Sequence, residues 1–144
     1  MKKLFPDDVV IRTRHFTVAQ DWEVPIPAFF VVSCNRKVRS IDEFSNEEAL
    51  EFALLVRDVR RGMREVNGCE EVYLFQNEDS KHGFHLWLFP RHEWMDRYGR
   101  KIQSVRPIME HAEAMQVDDD LVASVKQQVS LLQAHLASEQ QYAA

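Results

Sequence analysis

The chain is predicted to be an α+β domain, an antiparallel sheet of about five strands with one long helix packed on it and further helices at the C-terminal end. Three observations predict this. Strand-length runs that alternate or are wholly apolar fall at 9–13, 15–20, 28–33, 72–76 and 84–89. One long stretch, 45–66, keeps a helical apolar period, and two more helical stretches follow residue 103. The 144 residues suit one compact domain with a real core, and 45% hydrophobic and 28% charged residues are ordinary for a soluble globular protein. The sheet and long helix are assigned to 1–103, and 104–144 to a helical extension packed on the same domain.

Val9 to Thr13 and His15 to Gln20 alternate and carry β-branched residues, as paired strands do. Gln20 to Pro27 is a connection, because Pro25 and Pro27 cannot donate to a central ladder. Ala28 to Ser33 is nearly all apolar and reads as a central strand. Ser45-Asn46-Glu47-Glu48 is a capping box, in which the serine hydroxyl meets the Glu48 N–H and the glutamate reaches back. The helix runs to about Val66, with Phe52, Leu55, Val56, Val59, Met63 and Val66 as its apolar stripe, and Asn67-Gly68 ends it. Arg57, Arg60, Arg61 and Arg64 read as a solvated outer helix face. Val72 to Gln76 and Phe84 to Phe89 are joined by the polar loop Asn77 to His82. His92 to Gln103 is charged and reads as loop. Ser104 to Gln116 forms a short helix with Pro107 in its first turn. Asp118 to Leu136 forms a longer one with Leu121, Val125, Val129, Leu132 and Leu136 on one face, and a Gln/Ala-rich tail follows Ala134.

A net charge of −5 argues against a nucleic-acid polymer as main partner, because phosphate-backbone binding leans on a positive surface. The start, Met1 to Asp8, lacks the apolar segment of a secretory signal, and no apolar run reaches membrane-spanning length. Cys34 and Cys69 show no metal spacing and read as reduced structural thiols of a cytoplasmic protein. His82, His85 and His92, spaced His-x₂-His-x₆-His, match no compact zinc motif, so no metal and no cofactor is expected.

The most informative segment is Gly83-Phe84-His85-Leu86-Trp87-Leu88-Phe89-Pro90-Arg91. In a strand, Gly83, His85, Trp87 and Phe89 share one face. A histidine inside so apolar a strand must have its ring nitrogens satisfied, structurally or by catalysis. The segment resembles the active-site strand of the histidine triad superfamily, His-x-His-x-His-x-x followed by Pro-Arg. The three histidine positions fall at Gly83, His85 and Trp87. Upstream order and spacing fit as well: Phe16 to Asp21, Pro25-Ile26-Pro27, Phe29 to Val32, Arg36-Lys37-Val38 and the helix start at Ser45. Two auxiliary histidines of the family would fall at Phe29 and Lys37.

The resemblance implies chemistry on a nucleotide or nucleoside phosphate conjugate. His85, at the nucleophile's position, would attack an α-phosphate and form a nucleotidyl-histidine, as in a nucleotide phosphohydrolase or nucleotidyltransferase. His82 is the candidate for the missing first histidine or the leaving-group acid. Asp21, Asn77, Ser80, Trp87 and Arg91 are the candidate substrate-binding residues: Asp21 for ribose hydroxyls, Asn77 and Ser80 for ribose or phosphate, Trp87 through its indole N–H, Arg91 for phosphate. A homodimer through the long helix and the edge of the 72–76 strand is also implied. The residues leave a second reading open, a catalytically silent nucleotide- or protein-binding domain with a decayed triad.

Overall fold

The computed structural model describes residues 4–142. Met1, Lys2 and Lys3 of the stretch read as lacking a secretory segment, and the last two alanines of the Gln/Ala-rich tail, lie outside the described residues. Five strands, β1 (Val9–Arg12), β2 (Phe16–Gln20), β3 (Phe30–Cys34), β4 (Val72–Phe75) and β5 (His85–Pro90), form one sheet in the order β1-β2-β3-β5-β4. Every neighbouring pair is antiparallel. Three α-helices, α1 (Asn46–Glu65), α2 (Val105–Ala114) and α3 (Asp119–Ala137), complete the α+β fold.

One face of the sheet buries Phe16, Val18, Phe30, Val32 and Leu88 against Leu55, Val59 and Met63 of α1 and Val129, Leu132 and Leu136 of α3. Each such aliphatic or aromatic side chain contributes about 1.5–3 kcal/mol on burial. The helix starts as its sequence requires. The Ser45 hydroxyl accepts the Glu48 N–H, and the Glu48 carboxylate accepts the Ser45 N–H. At Gly62 the two helices come so close that a Cβ would lie 2.5 Å from Leu132 Cδ1. The opposite face is covered at one end by Val24, Ile26 and Phe29 of the Pro-rich connection and by Met95, Ile108 and Ala112.

Four details differ from the sequence reading. The strand after the Pro-rich connection starts at Phe30 rather than Ala28, because Ala28 takes a left-handed φ of 66° to complete the turn. The strand carrying the histidine starts at His85, since the Phe84 N–H is given to the Val38 carbonyl at 2.8 Å, outside the ladder. Residues 93–98 and 102–104 are 3-10 turns rather than loop, the first anchored by the wholly buried Met95 and the second by the Arg91 contact to Ser104. The arginine face is only partly solvated. Arg57 and Arg61 pair with the buried Asp58, and Arg60 donates to the Cys69 and Glu70 carbonyls. Among the described residues no helix is long and apolar enough to cross a membrane.

Candidate active site

His85 opens β5 and lies on the sheet face away from α1, paired across the ladder with Ser33. The residue is 9% exposed. Nδ1 lies 3.0 Å from the Gly83 carbonyl oxygen, which only accepts, so Nδ1 carries a hydrogen and Nε2 is the nitrogen that can offer a lone pair. Gly83 enables this contact. Its φ of 80° is costly for any residue with a Cβ, and an added Cβ would meet the Val38 carbonyl oxygen at 3.2 Å. The position where the resemblance expects a first histidine is thus shaped for glycine.

Trp87 stacks beside His85, ring centroids 6.0 Å apart, and Phe75 from β4 stacks on Trp87 at 5.7 Å. The indole is locked from behind. Trp87 Nε1–H donates to Asp21 Oδ2 at 3.2 Å, while Asp21 Oδ1 accepts the N–H groups of Glu23 and Val24 at 3.0 and 2.9 Å. Asp21 is buried, and desolvation pushes its carboxyl above the usual carboxylate range against the opposing pull of these donors. Asp21 therefore holds Trp87 in place, and the Trp87 N–H points to Asp21.

His82 is exposed, with its ring 6.3 Å from that of His85, edge to face. Ser80 Oγ accepts the His82 N–H at 3.1 Å and shapes that loop end. Asn77 lies exposed further back in the same loop. Arg91 shares the His85 face but sits roughly 20 Å further along the strand at about 3.3 Å per residue. Its guanidinium is 3% exposed and donates to Ser104 Oγ, Asp96 Oδ1 and the Gly99 carbonyl, pinning the 96–104 segment. The structure thus gathers His85, His82, Ser80, Trp87 and Asp21 and does not bring Arg91 to them.

A cleft of about 420 Å³ opens beside His85, between the 33–38 segment and the 81–85 segment. Arg36, Lys37, Lys81, His82 and His85 line it. Arg36 is engaged by Glu48 at 2.7 Å, and this contact together with the Ser45 N–H holds the Glu48 carboxyl down at about 2. Cys34 also faces the cleft, and burial pushes its thiol up. His92 is turned elsewhere. Its Nε2–H donates to the Pro27 carbonyl at 2.7 Å, and burial lowers its ordinary value. No three His, Cys, Asp or Glu side chains among the described residues converge on a metal-sized space.

Trp22, Phe75 and Lys81 were not among the residues singled out from sequence. Trp22 places its ring 5.6 Å from His85 and 6.2 Å from His82. Its signal was adjacency to Asp21. Phe75 carried none, because only the cross-strand register with Trp87 brings it to the site.

No protein-family model matches the chain, and no curated protein matches it. Solved structures do. A hypothetical histidine triad nucleotide-binding protein from Sulfolobus tokodaii strain 7 is similar at TM-score 0.63 and 12% identity, over 95% of this chain and 87% of that one. A Hit-like protein involved in cell-cycle regulation from Bartonella henselae gives 0.60 and 12%, over 91% and 88%. A Zn-bound histidine triad family protein from Mycobacterium smegmatis gives 0.60 and 15%, over 95% and 86%. Sequence identity this low beside near-complete structural coverage speaks to architecture: the chain has the histidine triad fold.

Proposed function

We propose that the protein acts on a nucleotide or nucleoside phosphate conjugate at its α-phosphate, as a phosphohydrolase or nucleotidyltransferase working through His85. The observation that carries this is the ring geometry. Nδ1–H is held by the Gly83 carbonyl, which leaves Nε2 as the nucleophilic atom beside the cleft. Nε2 attacks phosphorus, the bond from phosphorus to the leaving-group oxygen or nitrogen breaks, and the electron pair departs with that group. Water or another acceptor then attacks phosphorus, and the pair of the P–N bond returns to Nε2. His82, whose ring lies 6.3 Å from that of His85, is the side chain we assign to give the leaving group a proton. Asn77 and Ser80 are our candidates for ribose or phosphate contact from the loop, and Asp21 acts on the substrate through the indole it holds. Fewer donors surround the phosphate than three histidines would supply, and each missing donor typically costs about 10²–10³ in rate. Turnover is expected to be slow.

A second reading is favoured by a specific observation. The indole N–H at the third histidine position is spent on Asp21, so Trp87 has no donor left for charge developing beside His85. Under it the same cleft binds nucleotide or a protein partner without chemistry. The two are separated by a panel of nucleoside phosphoramidates, dinucleoside polyphosphates and nucleotide sugars, assayed with wild type, His85→Ala and His82→Ala. Turnover lost in His85→Ala and reduced in His82→Ala is expected. Full activity in His85→Ala overturns His85 as the nucleophile, and no turnover of any substrate leaves the binding domain. The proposal extends to a twofold dimer through the open edge of β4, where Leu74 is 47% exposed, and to a cytoplasmic protein, in keeping with the free thiols of Cys34 and Cys69.

A further inference from the structure

The chain carries a net charge of −5, yet the charged residues lining the His85 cleft are Arg36, Lys37 and Lys81, with no aspartate or glutamate among them. In an acidic protein such a segregation of positive charge sets a local field that attracts anions. Arg36 is committed in large part, since its Nε and Nη2 donate to the Glu48 carboxylate and the Glu43 carbonyl. Lys37 and Lys81 are different. Both are exposed, and among the described residues neither makes a hydrogen bond or an ion pair.

The two lysines come from segments that are laced together. The Phe84 N–H donates to the Val38 carbonyl at 2.8 Å, so the loop bearing Lys81 is tied one residue away from Lys37. Gly83 makes the approach possible, because its missing Cβ leaves room for that same carbonyl. On the other flank of His85 stand Trp87 and Phe75, apolar rings whose one N–H is already engaged. Charge on a bound phosphate can therefore be met from one side only.

We propose that Lys37 and Lys81 form an anion clamp over His85, holding the phosphate chain of the substrate and taking up negative charge as the P–Nε2 bond forms and the bond to the leaving group breaks. In this role two ammonium groups replace imidazoles as the source of transition-state charge. An ammonium offers three donors and a compact positive charge on a flexible stem, suited to several phosphate oxygens at once. The clamp rests on the reading of His85 as nucleophile for its catalytic role, but not for its binding role. It favours substrates that present more than one phosphate to the cleft.

The experiment measures binding of inorganic phosphate, pyrophosphate and tripolyphosphate by calorimetry at low and high salt. Wild type, Lys37→Ala/Lys81→Ala, Lys37→Arg/Lys81→Arg and, as a remote charge control, Arg106→Ala are compared. Affinity is expected to rise along the three anions and to weaken with salt. The double alanine variant should lose at least about tenfold in tripolyphosphate affinity, with the arginine pair restoring most of it and Arg106→Ala close to wild type. Both lysines are exposed and unpartnered, so unchanged melting of the variants is also expected. No saturable tripolyphosphate binding by wild type, or equal affinity in the double alanine variant, overturns the clamp. Lysine-dependent binding with no turnover of any nucleotide supports the clamp and sinks the chemistry at His85 alone.

Discussion

Glu48 shows how one side chain serves both the helix and the site. Its carboxylate accepts the Ser45 N–H at the start of α1 and the Arg36 guanidinium from the wall of the cleft, so the wall is anchored to the helix. These donors hold its carboxyl down at about 2. A carboxyl depressed in the folded chain adds stability that is fully present above the ordinary carboxylate range and is lost as pH falls through about 2. Glu48→Gln is thus expected to melt a few degrees below wild type at pH 7, with the deficit shrinking between pH 5 and about 2 and absent below it. Calorimetric scans across that range check it, and a deficit independent of pH would mean that the charge contributes nothing. Asp21 illustrates the limit of sequence at this scale. Read alone it is a turn aspartate or a ribose contact. Only the chain crossing that sets Trp87 against it, 66 residues away, gives it the role of holding the indole.

At the scale of elements, the crossing of α1 and α3 turns on Gly62. In an exposed helix interior, exchanging glycine for alanine gains roughly 1 kcal/mol from propensity. Here the new methyl would lie 2.5 Å from Leu132 Cδ1 and 2.9 Å from His135 Cδ2, and Leu132 is wholly buried. Overpacking of this kind costs about 1–3 kcal/mol and outweighs the propensity gain. Gly62→Ala should therefore unfold at lower urea, by about 1 kcal/mol, whereas a stabilised variant would show that the two helices separate freely. The helices themselves were legible. The capping box at Ser45 and the stripe from Val125 to Leu136 set α1 and α3 within a residue or so of their observed ends, because capping and periodicity are local. The 93–98 turns were not, since a charged stretch with one buried methionine has no period to read.

For the whole molecule, sheet order decides which edge is free. Helix α3 lies over β1 and against α1, tied by Lys126 to Asp8 and by Gln133 to the Val9 carbonyl. That is the edge opposite β4 in the order β1-β2-β3-β5-β4. The C-terminal helices therefore leave β4 uncovered by α3, and pairing of two β4 edges is expected to give a dimer at micromolar concentration. Sedimentation equilibrium should return about twice the 16.9 kDa chain mass for wild type and a single chain mass for Leu74→Lys. A wild-type species at the single chain mass would rule the dimer out. The fold was readable because strand lengths, turn residues and the order of elements are written along the chain. The site was readable at His85 and at little else, because the parts that surround it come from register and from the closing of two loops.

The aromatic packing around His85 has a spectroscopic consequence. The chain has three tryptophans, and two of them, Trp22 and Trp87, have rings within 6.0 Å of the His85 ring centroid, while Trp94 packs against His111 elsewhere. A ligand arriving beside His85 is thus expected to change the emission of two of the three indoles, and replacing Trp94 by phenylalanine would leave only those two as a reporter of occupancy that needs no label and no turnover.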